Sequence, residues 1–549
     1  TKGGMAEPFS WELSGNALVI TPDSPVEYGV EYVVTTTPEI TDLAGNPLQM
    51  LDSLEGDNSL DFTLPEYVVD DGGEDVRRGP FASTVYPGFP CASSAASQAE
   101  IDAGTQGVCV SSSPDADQVV IDELPIVGLP ANRPIKVRFS QNMDPATLVL
   151  GDTVLVQEDD NGTWVDVAGE LTVETRGFTF TPNQPWDETG ATLYRYVMVG
   201  NGGGTGCAGI CSDAGLPLQT APLLGGGLKE GGPDMEILFR GEVAADTIFQ
   251  ELANLPSADV NNNFQIDSNE PVLTADTLDP ADTPANATFI VPRGTGGEGA
   301  ISYANTGCGF DNVAAGEPTQ CDSDKIMYVT GLLNTEILDF DAENQGVPVV
   351  IYPTTVALTN LDATAVIGLK LSDDGLLSSI PLIGDLTQDL IDGLLAVTGL
   401  GDVIEATNLD NIGLIPIPTS TGPNSMRVRY EPEDPNDPNS PRTVPPVGYI
   451  VDTPDGPVFR IQFDLLFDAP ALSLPPGLDH NVKSLPIDNV QLEGPLDFLP
   501  DGRLFIGLQN QEALDVDLEI TLAGTDGGKV LLQIPPGGIN LSYQSVSIQ

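Results

Sequence analysis

Val19-Ile-Thr-Pro-Asp-Ser-Pro25 and Phe178-Thr-Phe-Thr-Pro-Asn-Gln-Pro185 are two versions of one pattern, a strand that runs into a Thr-Pro-x-x-Pro turn. A second shared motif follows each of them, Thr41-Asp-Leu-Ala-Gly-Asn-Pro-Leu48 after the first and Ser212-Asp-Ala-Gly-Leu-Pro-Leu218 after the second. Alternating runs such as Glu31–Thr36 lie between the motifs and are typical of strands with one buried face. A repeat of this size, with its motifs in the same order, predicts two copies of one β domain.

The two copies resemble the bacterial immunoglobulin-like domain of surface-layer proteins of the SbsA type. The resemblance rests on the two shared motifs and on Ile135-Lys-Val-Arg-Phe-Ser-Gln-Asn-Met-Asp-Pro-Ala-Thr-Leu148, which in that family is an early core strand followed by a turn. It covers residues 1–67 and 119–222. The fold class that it implies is mainly β, with serial immunoglobulin-like antiparallel β-sandwich domains.

The first copy has no counterpart of Ile135–Leu148, so the early strands of its sandwich are absent from the sequence. A sandwich without those strands would have an open edge and an uncovered core. Two explanations stay open at this point. The missing strands lie upstream of Thr1 in the same polypeptide, or another subunit supplies them by strand addition.

Composition and local pattern divide the rest of the chain. An apolar repeat of Leu382, Leu386, Leu390 and Leu394 predicts one amphipathic helical segment over 382–395. The expected regions are 1–67, an incomplete immunoglobulin-like domain; 68–118, an acidic disulfide-stapled connector; 119–226, an immunoglobulin-like sandwich; 227–355, a β domain with a candidate calcium loop; and 356–549, a β-rich region with the helical insert.

The charge balance excludes several classes of partner. The 549 residues include 81 acidic and 20 basic ones, for a net charge of −61. A nucleic-acid backbone or an anionic lipid surface needs Lys and Arg, so we expect neither as a partner. The sequence has no apolar run of about 18 residues, so we expect no transmembrane helix. Thr1 is not a translation start, and we expect a processed chain or one that begins further upstream.

The six cysteines fall into three close pairs, which suit local disulfides in an oxidising compartment. Metal ligation is the alternative, although no pair has a second pair or a histidine beside it. The pairs are Cys91 with Cys109, Cys207 with Cys211, and Cys308 with Cys321.

The stretch Asp259-Val-Asn-Asn-Asn-Phe-Gln-Ile-Asp-Ser-Asn-Glu270 has the ligand order of an EF-hand-type calcium loop, which surrounds a hard cation with oxygens. It also resembles the calcium loops of dockerin and thrombospondin modules. Phe264 stands at loop position 6, where an EF-hand has glycine for a sharp turn. The alternative is a surface turn rich in Asn and Asp. The predicted Ca²⁺ ligands are Asp259, Asn261, Asn263, Asp267, Glu270 and the backbone carbonyl of Gln265.

Catalytic residues are not predicted anywhere in the chain. His480 is the only histidine, in a turn-like sequence where we expect a surface position, and no Gly-x-Ser-x-Gly motif accompanies it. Pairs of carboxylates carry no information in a chain with 81 acids.

These observations predict a secreted or cell-surface protein with a structural or adhesive role, as part of a surface layer, an extracellular filament or an adhesin stalk. Its expected partners are further copies of itself, or a glycan or other component of a cell surface. Two alternatives stay open. One is a secreted hydrolase with a catalytic C-terminal half, and the other is a calcium-dependent glycan-binding protein.

Overall fold

β-Strands form nearly all of the regular structure in a computed structural model of the chain. The structure describes residues 1–14, 17–23, 26–37, 39–41, 45–46, 59–64, 66–93, 96–110, 123–221, 229–254, 257–270, 287–290, 303–305, 326–369, 413–435, 437, 440–454, 456–474, 478–499, 503–522, 525–534 and 536–545. The expectation of a mainly β chain built from antiparallel sheets is confirmed. The helix predicted over 382–395 lies outside the described residues.

The N-terminal residues form two separate antiparallel hairpins. Strand β1 (Phe9–Ser14) pairs with β2 (Ala17–Pro22), and β3 (Glu31–Thr35) pairs with β4 (Ser59–Thr63). Each hairpin is a two-stranded sheet. Hairpins of this size have little stability by themselves in water, so their surroundings decide whether they persist.

A two-layered β-sandwich follows. Its elements in chain order are β5 (Ala82–Tyr86), α1 (Gln98–Asp102), β6 (Thr105–Val108), β7 (Glu123–Pro125), β8 (Val127–Pro130), β9 (Ile135–Phe139), a 3₁₀ turn (Pro145–Thr147), β10 (Val154–Asp159), β11 (Trp164–Asp166), β12 (Gly169–Glu174), β13 (Gly177–Pro182), β14 (Leu193–Met198) and β15 (Met235–Glu242). One layer has the order β12-β13-β9-β5 and the other β11-β10-β14-β15-β8, while β6 and β7 form a separate two-stranded sheet. Of these pairings only that of β15 with β8 is parallel.

Alternation along each strand builds the sandwich core. In β9 the side chains of Ile135, Val137 and Phe139 are buried, whereas those between them are half-buried. Successive side chains of a strand point to opposite faces, so one face of β9 is apolar and packs inward. Phe178 and Phe239, from the two opposing layers, are fully buried in the same cluster.

The sandwich extends beyond the bounds 119–226 that the sequence suggests. Strand β5 lies in the expected connector 68–118, yet it pairs with β9, and residues 78–92 are buried almost throughout. Strand β15 lies in the expected third region, yet it pairs with β14. Strand β5 is buried throughout and pairs with the edge of β9, and β15 pairs with the edge of β14, so each covers an edge that would otherwise stay open.

The remaining strands form one large sheet and three small ones. They are β16 (Ile248–Ala253), β17 (Ala287–Ile290), β18 (Tyr303–Asn305), β19 (Ile326–Thr330), β20 (Leu332–Ile337), β21 (Val347–Tyr352), β22 (Thr355–Leu358), β23 (Asp362–Leu369), β24 (Gly413–Ser420), β25 (Asn424–Val428), β26 (Glu431–Pro432), β27 (Arg442–Val444), β28 (Val447–Thr453), β29 (Gly456–Asp468), β30 (Leu478–His480), β31 (Leu485–Phe498), β32 (Leu504–Asn510), β33 (Leu514–Leu522), β34 (Thr525–Ile534) and β35 (Ile539–Ser545).

The large sheet has twelve strands in the order β16-β20-β21-β28-β29-β25-β22-β19-β17-β35-β32-β31. In addition, β16 pairs with β35 and β29 pairs with β31, so strands that are distant in this order are also hydrogen-bonded neighbours. The sheet takes strands from both sides of residue 355, where the sequence suggested a domain boundary. That boundary therefore does not separate two sheets, because β21 pairs with β28 across it.

None of the helices among the described residues has the length and apolar character that a membrane crossing requires.

Replacement of Phe239 by Ala should destabilise the sandwich by about 3–5 kcal/mol, because the ring is fully buried and its removal leaves a cavity. Its ring contacts the rings of Trp186 and Tyr194 at centroid distances of 5.1 and 5.3 Å. The measurement is the urea midpoint of the parent and the variant. The matched control is Phe340→Ala, whose side chain is 65% exposed and whose loss should shift the midpoint little.

Candidate metal centre

The loop Asp259–Glu270 is buried, although every one of its predicted side-chain ligands is polar. It follows β16 and precedes β17, both of which belong to the twelve-stranded sheet. Relative exposure is 2% for Asp259, 5% for Asp267 and 6% for Glu270. Buried carboxylates are costly unless a partner compensates their charge. An ordinary surface turn, the alternative reading of this stretch, does not have this burial.

Hydrogen bonds inside the loop fix the direction of its oxygens. The Asp259 carboxylate accepts from the backbone N–H groups of Asn263 (3.1 Å) and Phe264 (3.0 Å). Glu270, at the other end, accepts from the N–H groups of Val260 (2.8 Å) and Asp267 (2.9 Å). Position 1 and position 12 are thus both bonded back onto the loop, which holds the two ends together.

The side chains in the middle of the loop are also hydrogen-bonded within the loop. Asn261 Oδ1 accepts from the N–H of Asn263 (3.1 Å), and Asn263 Oδ1 accepts from the N–H of Gln265 (2.8 Å). The Asp267 carboxylate accepts from Nδ2 of Asn261 (2.7 Å) and of Asn263 (3.0 Å). The structure therefore brings together the predicted side-chain ligands at loop positions 3, 5 and 9.

The electrostatics of the loop favour a bound cation. Burial raises the pKa of Glu270 well above its usual range, and the negative charge of Asp259 raises it further. Burial likewise raises the pKa of Asp259, against hydrogen bonds from Phe264 and Asn263 that lower it. Burial also raises the pKa of Asp267. Three acids that resist ionisation in one place represent a free-energy cost that a divalent cation would offset.

The donor set fits calcium better than a softer metal, because it consists of carboxylate, amide and backbone oxygens without a histidine or thiolate. In the described part of the chain, no three His, Cys, Asp or Glu side chains form a metal-binding group by themselves. A cation in this loop would therefore depend on Asn261, Asn263 and the carbonyl of Gln265 as well as on the acids.

Phe264 takes the conformation that an EF-hand reserves for glycine. Its φ is +65°, in the left-handed region, and that of Asn262 is +54°. Packing holds Phe264 there: its ring stacks on Phe81 at 5.3 Å and lies 4.2 Å below the guanidinium of Arg78. Its carbonyl accepts from the N–H of Asn360 (2.7 Å). The sharp turn is therefore present without the glycine.

Among the described residues, Arg78 is a cation beside the loop, and no local sequence pattern connects the two. The guanidinium is buried, and its Nε donates to Gln219 Oε1 (2.7 Å). Burial lowers the pKa of Arg78 to about 9, and the charge of Asp259 opposes that shift. One guanidinium offsets only part of the charge of three buried carboxylates.

The loop is also a junction between distant segments. It bonds to the stretch 66–76, to the turn after β9, and, through Phe264, to Asn360 in the connection between β22 and β23. The bonds to the first two are Asn261 Nδ2 to Val68 O (2.9 Å), Asn263 Nδ2 to Val76 O (3.1 Å), Ser268 Oγ to Asp71 Oδ1 (2.7 Å), Asn262 Nδ2 to Ser140 O (2.9 Å) and Gln141 Nε2 to Asn261 O (3.2 Å).

The other sites from the sequence are placed as follows. Disulfides join Cys91 to Cys109, with an S–S distance of 2.02 Å, and Cys207 to Cys211, with 2.10 Å. Cys308 and Cys321 lie outside the described residues.

The expected surface position of His480 is wrong. Its side chain is buried, and its Nδ1 accepts from the N–H of Val482 (3.1 Å). The residue ends β30, which pairs with β33, so the strand pairing determines its surroundings.

The structure thus describes a β-sandwich, a large antiparallel sheet, and a buried polar loop that is hydrogen-bonded to the turn after β9 and to Asn360. Comparison with known proteins adds one relative. The chain is 29% identical, over an alignment of 574 positions, to alkane uptake protein B of Marinobacter nauticus. The alignment covers 97% of this chain and 47% of that protein, so the chain spans about half the length of this relative. No family model and no solved structure matches the chain.

Calcium should raise the melting temperature of the parent chain, and the double variant Asp259→Asn/Glu270→Gln should lose that increase. At a concentration of 100 times the dissociation constant, the ion would stabilise the folded chain by about 2.7 kcal/mol. The measurement is differential scanning calorimetry in EDTA and in millimolar calcium at one pH.

The control for this experiment is Asp497→Asn/Glu512→Gln, which removes the same charge from two exposed positions. It should keep the full calcium response. Equal calcium responses of the parent and the Asp259/Glu270 variant would show that the ion does not bind in this loop.

Proposed function

We propose that this chain is a β-rich scaffold of a cell-surface protein that takes part in alkane uptake, and that calcium in the loop Asp259–Glu270 stabilises it. The observation that carries the proposal is the similarity to alkane uptake protein B, which extends over 97% of the chain at 29% identity. The similarity thus includes the sandwich, the loop and the large sheet alike.

Two properties of the chain support a place outside the cytoplasm. The disulfides Cys91–Cys109 and Cys207–Cys211 are typical of proteins that fold in an oxidising compartment. The net charge of −61 is tolerable where salt screens it or where divalent cations neutralise it, as in an external medium.

Within this proposal the chain contributes structure rather than chemistry. The loop connects the stretch 66–76, the turn after β9 and the region around Asn360 by direct hydrogen bonds. A cation held there would fix the sandwich relative to the large sheet. The adhesive role, the self-association and the lack of catalysis expected from the sequence stay predictions.

A chimera tests the proposal. In Marinobacter nauticus without alkane uptake protein B, cells receive that protein with its aligned part replaced by this chain. We expect the chimera to restore accumulation of radiolabelled hexadecane to at least half the rate that the unaltered protein gives. Growth on acetate should be the same in all strains.

The matched control is the same chimera with Phe239→Ala, which disturbs the sandwich core without altering the surface. It should restore much less hexadecane accumulation. A parent chimera that reaches the cell surface in normal amount, yet accumulates hexadecane no faster than the deletion strain, would contradict the role in alkane uptake.

A further inference from the structure

The two N-terminal hairpins repeat four of the nine strands of the sandwich layers. Hairpin β1–β2 has the register of hairpin β12–β13 with a constant shift of 160 residues. Ser14 pairs with Ala17 as Glu174 pairs with Gly177, and the far ends pair in the same way. The Thr-Pro turns of the sequence repeat therefore mark an equivalent pair of strands.

The second hairpin repeats the opposite layer. Tyr32 of β3 stacks on Phe62 of β4 at 5.6 Å, as Tyr194 of β14 stacks on Phe239 of β15 at 5.3 Å. The two tyrosine hydroxyls accept equivalent hydrogen bonds, from the backbone N–H of Glu27 (2.9 Å) and of Asp187 (3.2 Å). Strands β1–β4 thus correspond to β12–β15.

The inward face of the N-terminal unit, β1–β4, is more exposed than the equivalent face of β12–β15 in the sandwich. Residues of the N-terminal unit are exposed where their equivalents in the sandwich are buried. The pairs are Leu18 at 37% against Phe178 at 0%, Leu60 at 46% against Ile237 at 2%, and Phe62 at 38% against Phe239 at 0%. Trp11, on the same face, is 63% exposed. Such a group of exposed apolar side chains marks a site of association.

The sandwich shows what covers this face. There, β9 pairs with the free edge of β13, so that Val137 lies opposite Phe178 and Ile135 opposite Phe180. Ile135 and Val137 are both fully buried. Among the described residues of 1–64, no strand takes this place, and β2 pairs only with β1. An edge strand with an apolar face is a template for another strand.

We infer that the open edge of β2 binds an extended strand from outside residues 1–549, antiparallel and with the alternating pattern of Ile135–Phe139. The register follows from the repeat: an apolar residue of the added strand lies opposite Leu18, and another lies opposite Ile20. Basic residues at the positions of Lys136 and Arg138 would suit a chain with a net charge of −61. This site is independent of the calcium loop and of the role in alkane uptake.

The probe is a fluorescein-labelled peptide with the sequence of residues 133–141, Arg-Pro-Ile-Lys-Val-Arg-Phe-Ser-Gln. Anisotropy should show saturable binding of one peptide to each full chain. Binding should shift the tryptophan emission to shorter wavelength, because Trp11 lies opposite Ile20 and becomes covered. The Trp11→Phe variant should bind the peptide without that shift.

Substitutions locate the site. Leu18→Asp should weaken binding at least ten-fold, whereas Phe340→Asp, at an exposed apolar residue far along the chain, should not change it. A peptide with Asp in place of its Ile and Val should not bind. Since Leu18 is partly exposed already, its replacement should leave the melting temperature nearly unchanged.

Three results would overturn the inference. The first is a failure of the peptide to bind, or equal binding by parent and Leu18→Asp. The second is dimerisation of the purified chain with Trp11 already covered, which would make a second copy the occupant. The third is an emission shift with dispersed hexadecane that the peptide cannot displace, which would make the face a surface for alkanes.

Discussion

Burial of three carboxylates in one short loop is the constraint on which the centre of this structure depends. Asp259, Asp267 and Glu270 are at most 6% exposed, and Arg78 is the cation whose charge acts on Asp259. Water does not stabilise charges at this depth, so backbone N–H groups and amides have to do so. The same loop bonds to three segments that are distant in sequence. The stability of this junction therefore depends on how well the charge of the three buried carboxylates is compensated.

A second constraint on the sandwich and the large sheet is that their strand edges must be paired or covered. In the sandwich, β5 and β15 come from stretches outside the repeated sequence and complete the two layers. In the large sheet, strands from both halves of its sequence alternate in space. The N-terminal hairpins have no such additions among the described residues, and their inward faces stay open. Comparison of the two copies shows what strand addition contributes: the apolar side chains of the inward face are buried in the sandwich and exposed in the N-terminal unit.

The sequence predicts what is local and misses what is distant. The spacing from Asp259 to Glu270 can be read directly because loop ligands follow one another in the chain, and close cysteines pair for the same reason. Arg78 and Gln141 were missed, since nothing near them in sequence points to the loop. The placement of β5 and the surroundings of His480 depend on long-range strand pairing. Phe264 shows a further limit, because packing against Phe81 allows a backbone conformation that the residue type disfavours.

The pairing of β35 has a consequence for folding during biosynthesis. Strand β35 bonds to β17, β32 and β16, and β16 is the first strand of the large sheet. The sheet therefore cannot be completed before β35 has been synthesised, because β16 pairs with residues up to Ser545. Contacts of such long range close slowly, and the waiting strand edges are prone to aggregate. Until β35 has been synthesised, its partners β16, β17 and β32 each lack a neighbouring strand, and their edges can pair with other chains.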